Sequence, residues 1–225
     1  MASVSLYRRG SAEFDRGVSF FDAVYGFAIT LLITTVHIPA PKYWHSLRTL
    51  LDSSFGSELV GFVLSFVVIA LFWRVNYRLI GTMNGMSSRV IVSNITCVFF
   101  VILIPLTTQA QNSTALSNEP LAVALYAANI TLASIAQFIM YRIAEGTGLV
   151  KITATQASQR IATIGSLAVP VVFGISIPIA FWAGTRPAQY VWASLLVLFP
   201  LFGWWERRAN HDREPTVAPP EAVEE

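Results

Sequence analysis

The sequence predicts an all-α integral membrane protein with six transmembrane helices, and three observations lead to that fold class. The 225 residues are 54% hydrophobic and only 12% charged, about half the roughly 25% charge of a soluble domain. Apolar runs recur that reach the ~20 residues a bilayer crossing needs. Basic residues cluster on alternate sides of these runs. A net charge of +2 is too small to indicate nucleic acid, so the lipid bilayer is the predicted partner.

The six predicted spans are continuous in Ala, Leu and Ile, without the alternation of a membrane barrel. Unpaired backbone groups are costly in lipid, so each run should form a helix. Residues 39–56 could be a short interfacial helix or an early start of the second span. In chain order the predicted spans are residues 18–38, 57–79, 88–110, 121–143, 160–183 and 188–206.

The basic residues orient the chain. An N-terminus in the cytoplasm leaves only Lys42, Arg48 and Arg186 outside and the other twelve of the 15 basic residues inside, as the positive-inside rule requires. Six spans then place both termini in the cytoplasm. We predict a membrane domain over residues 1–206 and, because residues 207–225 are charged and rich in Pro and Glu, a disordered cytoplasmic tail.

The sequence lacks the local signatures of catalytic and metal sites. It contains no Gly-rich phosphate loop and no His-Glu-x-x-His, and its three His residues do not have a metal-ligand spacing. The single Cys97 lies in an apolar run and is predicted to be a small buried hydrophobe. We therefore predict a protein that is not an enzyme and that needs no metal or other cofactor.

The start of the first span carries charge. Arg16 and Asp22 open an apolar segment, and ionisable groups in a membrane helix are costly unless they are paired. A spacing of six residues does not bring them together on one helix, so their partners should lie elsewhere. The inner end of the second span offers candidate partners and hydrogen-bond donors at matching depth, namely Trp73, Arg74, Asn76 and Arg78.

This segment resembles a known family. Arg16, Phe20 and Asp22, followed by Ala-Val-x-x-x-Ala-Ile-Thr-Leu-Leu, are similar to the Arg-x-x-x-Phe-Ser-Asp signature of the transmembrane protein 175 family of potassium channels. Phe21 replaces the Ser, and Asn76 and Tyr77 stand where the family has His. The resemblance implies a potassium-permeable channel, a homotetramer of single six-helix units in a prokaryotic plasma membrane, with four first helices lining the pore.

The resemblance also implies pore positions. Phe27, Thr30 and Thr34 lie three and four residues apart and therefore share a helix face. Four Phe27 rings would form a hydrophobic constriction, and Thr30 and Thr34 hydroxyls would replace part of an ion's hydration shell. Alternatively, the Thr hydroxyls bond to carbonyls of their own helix and Phe27 packs against a neighbour. The Arg16, Phe20 and Asp22 motif is interpreted as a structural lock on the inner end of the pore helix.

Two other function classes stay open at this point. A secondary transporter also has polar groups at mid-membrane, although it usually shows inverted repeats with interrupted helices. Residues 18–110 and 121–206 show no convincing similarity to each other. A purely structural membrane protein is the other alternative.

Overall fold

A computed structural model of the chain describes residues 6–113, 115–116, 118–150 and 156–211. This part is a helical bundle with a two-stranded antiparallel sheet at one end. The strands are β1 (Leu6–Arg8) and β2 (Gly85–Ser87). The α-helices are α1 (Ala12–Leu31), α2 (Leu47–Leu51), α3 (Ser54–Thr82), α4 (Ser88–Ile102), α5 (Ile104–Asn112), α6 (Pro120–Gly146), α7 (Gln156–Trp182), α8 (Thr185–Ala193) and α9 (Leu195–His211).

Four stretches of the described chain are long and apolar enough to cross a bilayer, and they coincide with the first four predicted spans. A fifth, shorter apolar helical stretch covers Leu167–Trp182 within α7. The sixth predicted span corresponds to α8 and α9. The prediction of a helical, multi-pass membrane protein is therefore confirmed. The four long stretches are Ala12–Thr35, Ser54–Gly81, Ser88–Asn112 and Pro120–Gly146.

Helix α1 begins at Ala12 rather than at the predicted residue 18. Ser11 caps it, because its hydroxyl accepts a hydrogen bond from the Phe14 N–H at 3.3 Å, satisfying a donor that the first turn leaves free. Glu13 and Asp15 lie in that turn, where the helix dipole favours negative charge. The α-helix ends at Leu31 and continues as a 3₁₀ turn to Thr35.

Two predicted spans are interrupted in the structure. The third consists of α4 and α5, which meet at Leu103; Pro105 follows and has no N–H to continue the helical ladder. The sixth is interrupted at Ser194, whose hydroxyl donates to the Val191 carbonyl at 2.7 Å. Helix α9 then runs to His211, so residues 207–211 of the predicted tail are helical. Residues 212–225 lie outside the described part.

The connection predicted to lie outside also differs from the simplest expectation. Residues 39–56 contain a 3₁₀ turn at Pro41–Tyr43 and the separate helix α2, before α3 begins at Ser54. Ser46 and Ser53 cap α2 and α3, because their hydroxyls accept from the backbone N–H groups of Thr49 and Phe55. The second span therefore starts slightly early and a short helix precedes it.

The core is centred on α6, the most buried of the four long stretches, which packs against α4, α5 and α7. The stretch that contains α1 is the least buried of the four and packs against α3 and α4. Cys97 is fully buried on α4, as predicted. This arrangement gives α1 one face toward the core and leaves the other face exposed in the described part of the protomer.

The sheet attaches the N-terminus to the turn between α3 and α4. Tyr7 pairs with Met86 and Arg8 with Gly85. Gly85 is needed there, because a Cβ at this position would lie 2.6 Å from the Tyr7 carbonyl oxygen. The Arg9 guanidinium donates to the Gly81 and Met83 carbonyls at 2.6 and 3.2 Å. The start of α1 is thus held beside the end of α3.

Candidate functional site: the two faces and two ends of the first helix

Helix α1 has one buried and one exposed face. Tyr25 is 1% exposed and Leu32 is fully buried, whereas Phe27 is 71% exposed. Thr30 and Thr34 are also exposed. The three predicted pore residues therefore lie on the side of α1, and of the 3₁₀ turn that continues it to Thr35, that faces away from the bundle. Within the described part of the protomer these side chains are exposed, so this face is open to lipid, a neighbouring subunit or a water-filled space.

The hydroxyls on this face bond to their own helix. Thr30 Oγ1 donates to the Phe27 carbonyl at 2.9 Å, and Thr34 Oγ1 donates to the Leu31 carbonyl at 2.7 Å. A hydroxyl has one donor and two acceptor lone pairs. Back-bonding uses the donor and leaves the lone pairs free to face a cation. Hydrogen bonding to the helix and contact with an ion are therefore compatible for these Thr residues, because they use different parts of the same hydroxyl.

At the end of α1 that is predicted to face the cytoplasm, the inner end, Asp22 is held by α3. The Trp73 indole Nε1 donates to Asp22 Oδ1 at 2.9 Å, a contact between the two helices. The Trp73 ring also lies against Tyr77, with 5.7 Å between ring centroids. Phe20 is 56% exposed and contacts Phe21 edge to face. The structure thus brings the carboxylate of the motif together with the tryptophan that the sequence places at matching depth.

In the described part of the protomer, Asp22 forms no ion pair with an arginine. The recorded ion pairs there do not include Arg16, Arg74 or Arg78, and all three side chains are exposed. Arg78 only lines the same cavity as Asp22. The reason is geometric: one helical turn separates Trp73 from Tyr77, so the face of α3 that meets Asp22 presents aromatic side chains.

Asn76 is also not part of the Asp22 cluster. It is 2% exposed, and its Nδ2 donates to Asn94 Oδ1 on α4 at 2.6 Å. Arg16 lies at a separate cavity of about 300 Å³, beside Tyr7 and Glu13. The predicted inner-end network therefore divides into an Asp22–Trp73 contact, an Asn76–Asn94 contact and exposed arginines.

The opposite end of the first helix, predicted to be the outer end, is held by a residue that sequence reasoning missed. Glu58 of α3 is 7% exposed, and its Oε2 accepts from the His37 backbone N–H at 2.7 Å and lies 3.3 Å from the ring Nδ1. The contact fixes the chain just after the 3₁₀ turn. Glu58 lies inside the predicted second span, and a carboxylate there is by default a candidate for pairing or function.

No metal centre is evident in this part of the molecule. Across residues 6–113, 115–116, 118–150 and 156–211, no three His, Cys, Asp or Glu side chains come together. The charged and polar groups of α1 are hydroxyls, the carboxylates of Glu13, Asp15 and Asp22, and the exposed Arg16 guanidinium. Such a set can hold helices together and contact a passing cation, but it does not form a closed ligand cage.

Comparison with known proteins agrees with this geometry. The family model described as endosomal/lysosomal potassium channel TMEM175 matches residues 16–105, which contain the α1 motif and all of α3. A curated relative from Chryseobacterium sp. (strain P1-3), named a potassium channel, is 22% identical over 122 residues, 54% of this chain. That match spans 60% of the relative's length.

Two solved structures share the fold. One is a lysosomal potassium-selective channel TMEM175 homolog from Chamaesiphon minutus, with TM-score 0.62, 19% identity, and 89% of this chain and 100% of that chain covered. The other is a variant of the potassium channel MtTMEM175 bound to a nanobody–MBP fusion. It has TM-score 0.62 and 15% identity, and the match covers 92% of this chain and 98% of that chain.

These similar proteins are ion channels and not enzymes. The motif of α1, the family match over residues 16–105 and the shared fold agree with one another. The chain is therefore similar to TMEM175 potassium channels in its α1 motif, over residues 16–105 and in its fold.

Proposed function

We propose that the protein is a potassium-permeable cation channel of the cell membrane, in which four copies of α1 line the pore. The active form is a homotetramer of six-span protomers with both termini in the cytoplasm, in a prokaryotic plasma membrane. Potassium is the permeant species, and the mechanism needs no cofactor.

One observation carries this proposal: the exposed face of α1. The stretch that contains α1 is the least buried of the four long ones, although its sequence carries the family motif. This helix packs on one side only, and its other side presents Phe27 and the hydroxyls of Thr30 and Thr34. Such a helix is suited to line a central pore. A single α1 cannot enclose such a path, so the proposal requires several copies around an axis.

The constriction follows from the order of side chains on that face. Four Phe27 rings at one level close the path by size and by excluding water. The next turns present Thr30 and then Thr34, whose hydroxyl oxygens keep free lone pairs. These oxygens replace part of the hydration shell of an ion that passes the Phe27 ring.

The motif residues have a positioning role in this proposal. Trp73 holds Asp22, and through it the inner part of α1, against α3. Asn76 fixes α3 to α4. Phe20, Arg16 and Arg74 are exposed in the protomer and complete the inner end in the assembled channel. None of these residues needs to touch the permeating ion.

The test is ion flux from purified protein in liposomes under a potassium gradient. We expect potassium flux that needs no second solute gradient, together with a tetramer mass in detergent. Phe181→Ala on α7, an aromatic that is 56% exposed and lies outside the proposed pore, should conduct as wild type does. A stable monomer without flux, or transport that depends on a coupled solute, would contradict the channel.

A further inference from the structure

A cavity of about 510 Å³ opens between the start of α1 and the end of α3. This volume falls within the roughly 300–1,000 Å³ of small-ligand sites. Its inner wall is apolar, made by Phe14, Val18 and Ile80. Its polar lining residues are exposed, so the cavity is open to the surroundings of the protomer.

The lining carries charges of both signs. Arg9 and Arg78 contribute two guanidinium groups, and Asp15 and Asp22 contribute two carboxylates. In the described part of the chain the side chains of Arg78 and Asp15 have no hydrogen-bond or ion-pair partner. Arg9 is oriented by the Gly81 and Met83 carbonyls and keeps further N–H donors free. The site therefore suits a ligand that carries an anionic and a cationic group together.

The position of the cavity identifies the source of such a ligand. It lies at the ends of two membrane-spanning helices, where Trp73 and Tyr77 are 40% and 60% exposed. Exposed Trp and Tyr next to Arg mark the level of lipid headgroups. Leu64, Val67 and Leu71 are exposed on α3 and follow the two arginines Arg74 and Arg78 on one helix face, so an apolar surface begins beyond the arginines and continues toward the membrane centre.

We propose that this cavity binds the headgroup of a phosphatidylethanolamine molecule from the surrounding leaflet. Arg78 and Arg9 hold the phosphate, since guanidinium pairs with phosphate through two parallel hydrogen bonds. Asp15, and the Asp22 oxygen that Trp73 does not occupy, accept hydrogen bonds from the primary ammonium. The acyl chains lie along the apolar surface of α3. Phosphatidylglycerol has no cation for Asp15, and the trimethylammonium of phosphatidylcholine has no N–H to donate.

The bound lipid would lie against the Asp22–Trp73 contact, at the level where α1 and α3 meet. By contacting both α1 and α3 there, the lipid would stabilise the inner end of α1. Its binding depends on charges and cavity shape within one protomer, so it can be measured whether or not the protein conducts ions.

The experiment measures lipid retention by native mass spectrometry and thermal stability in detergent. Phosphatidylethanolamine, phosphatidylglycerol and phosphatidylcholine with identical acyl chains are added separately. We expect wild type to retain the ethanolamine lipid best and to be stabilised most by it. Arg78→Gln should weaken this retention about tenfold, the size of one lost charge-assisted contact. The matched control is Arg89→Gln, an exposed arginine at the start of α4 outside the cavity, which should bind as wild type does.

A second variant separates recognition from damage to the fold. Asp15→Asn removes no side-chain hydrogen bond recorded for Asp15, so lipid-free stability should change little. It should abolish the preference for phosphatidylethanolamine over phosphatidylglycerol while both lipids still bind. Equal retention of the three lipids by wild type, or unchanged selectivity in Asp15→Asn, would overturn the proposal. Equal stabilisation by soluble phosphoethanolamine would overturn the assignment to a lipid.

Discussion

The two faces of α1 have opposite surroundings. Phe21, Tyr25, Ala28 and Leu32 are buried against the bundle, whereas Phe27, only two residues from Tyr25, is 71% exposed. Both faces are apolar enough for a membrane helix, so hydrophobicity alone does not distinguish them. The difference teaches that one face of this helix specifies the fold of the protomer, and the other is free for the assembly and the pore that we propose.

The first prediction concerns the buried face and has the largest expected effect on stability. Tyr25→Ala should lower the free energy of unfolding by about 3–5 kcal/mol, because a large aromatic is removed from a packed core. Unfolding in detergent, monitored by thermal or denaturant titration, checks this. Phe181→Ala is the control for loss of an exposed aromatic and should change stability far less. A loss no larger than that of the control would contradict the assignment of the two faces.

The second prediction concerns the outer end of α1. Glu58→Ala should cost about 1.5–3 kcal/mol, since a charged acceptor for the His37 N–H is lost from a buried position. Glu58→Gln, which keeps an oxygen acceptor, should lose less stability than Glu58→Ala does. Hydrogen exchange should rise at residues 32–38 and stay unchanged at the inner end. Uniform exchange along α1 in Glu58→Ala would show that Glu58 does not hold this end.

The third prediction concerns the inner end. A double-mutant cycle with Asp22→Ala and Trp73→Phe should give a coupling energy of about 0.6–1.7 kcal/mol, the size measured for polar pairs inside membranes. Asp22→Ala should also assemble poorly into tetramers, because the inner part of α1 loses its hydrogen bond to Trp73 of α3. Normal assembly together with altered permeability would favour a direct role of Asp22 with the ion.

The sequence predicts those features that depend on local pattern. The α1 motif locates Asp22, and residue depth along the second span locates Trp73, so their contact can be anticipated without coordinates. The helix breaks at Leu103 and Ser194 are harder to foresee, because single prolines are tolerated in membrane helices. Pro105 marks the first break, and nothing local marks the second.

Other features need three-dimensional information. Asn76 is one residue from Tyr77, yet it is buried toward Asn94 while Tyr77 is exposed; only the rotation of α3 against α4 decides this. The three residues of β1 are too few for a strand pattern. Glu58 could have been noticed as a carboxylate in an apolar run, but its partner is a backbone N–H, which leaves no trace in sequence.

The fourth prediction concerns the exposed face and has the smallest expected effect on stability. Thr30→Val keeps the shape of the side chain and removes a hydroxyl that bonds only to its own helix. The free energy of unfolding should change by less than about 0.5 kcal/mol. Potassium flux in liposomes should fall, because an oxygen of the path is lost. Thr96→Val on α4, whose hydroxyl also bonds within its helix, is the control, and equal flux in both variants would contradict the role of Thr30.

The most direct test of the central claim is Phe27→Ala, with potassium and sodium flux and tetramer stability measured on the same preparation. If four Phe27 rings form the constriction, the variant should conduct more than wild type and discriminate less between the two cations, while the tetramer stays intact. A destabilised tetramer with unchanged or lower flux would place Phe27 in packing between subunits and contradict a pore lined by this face of α1.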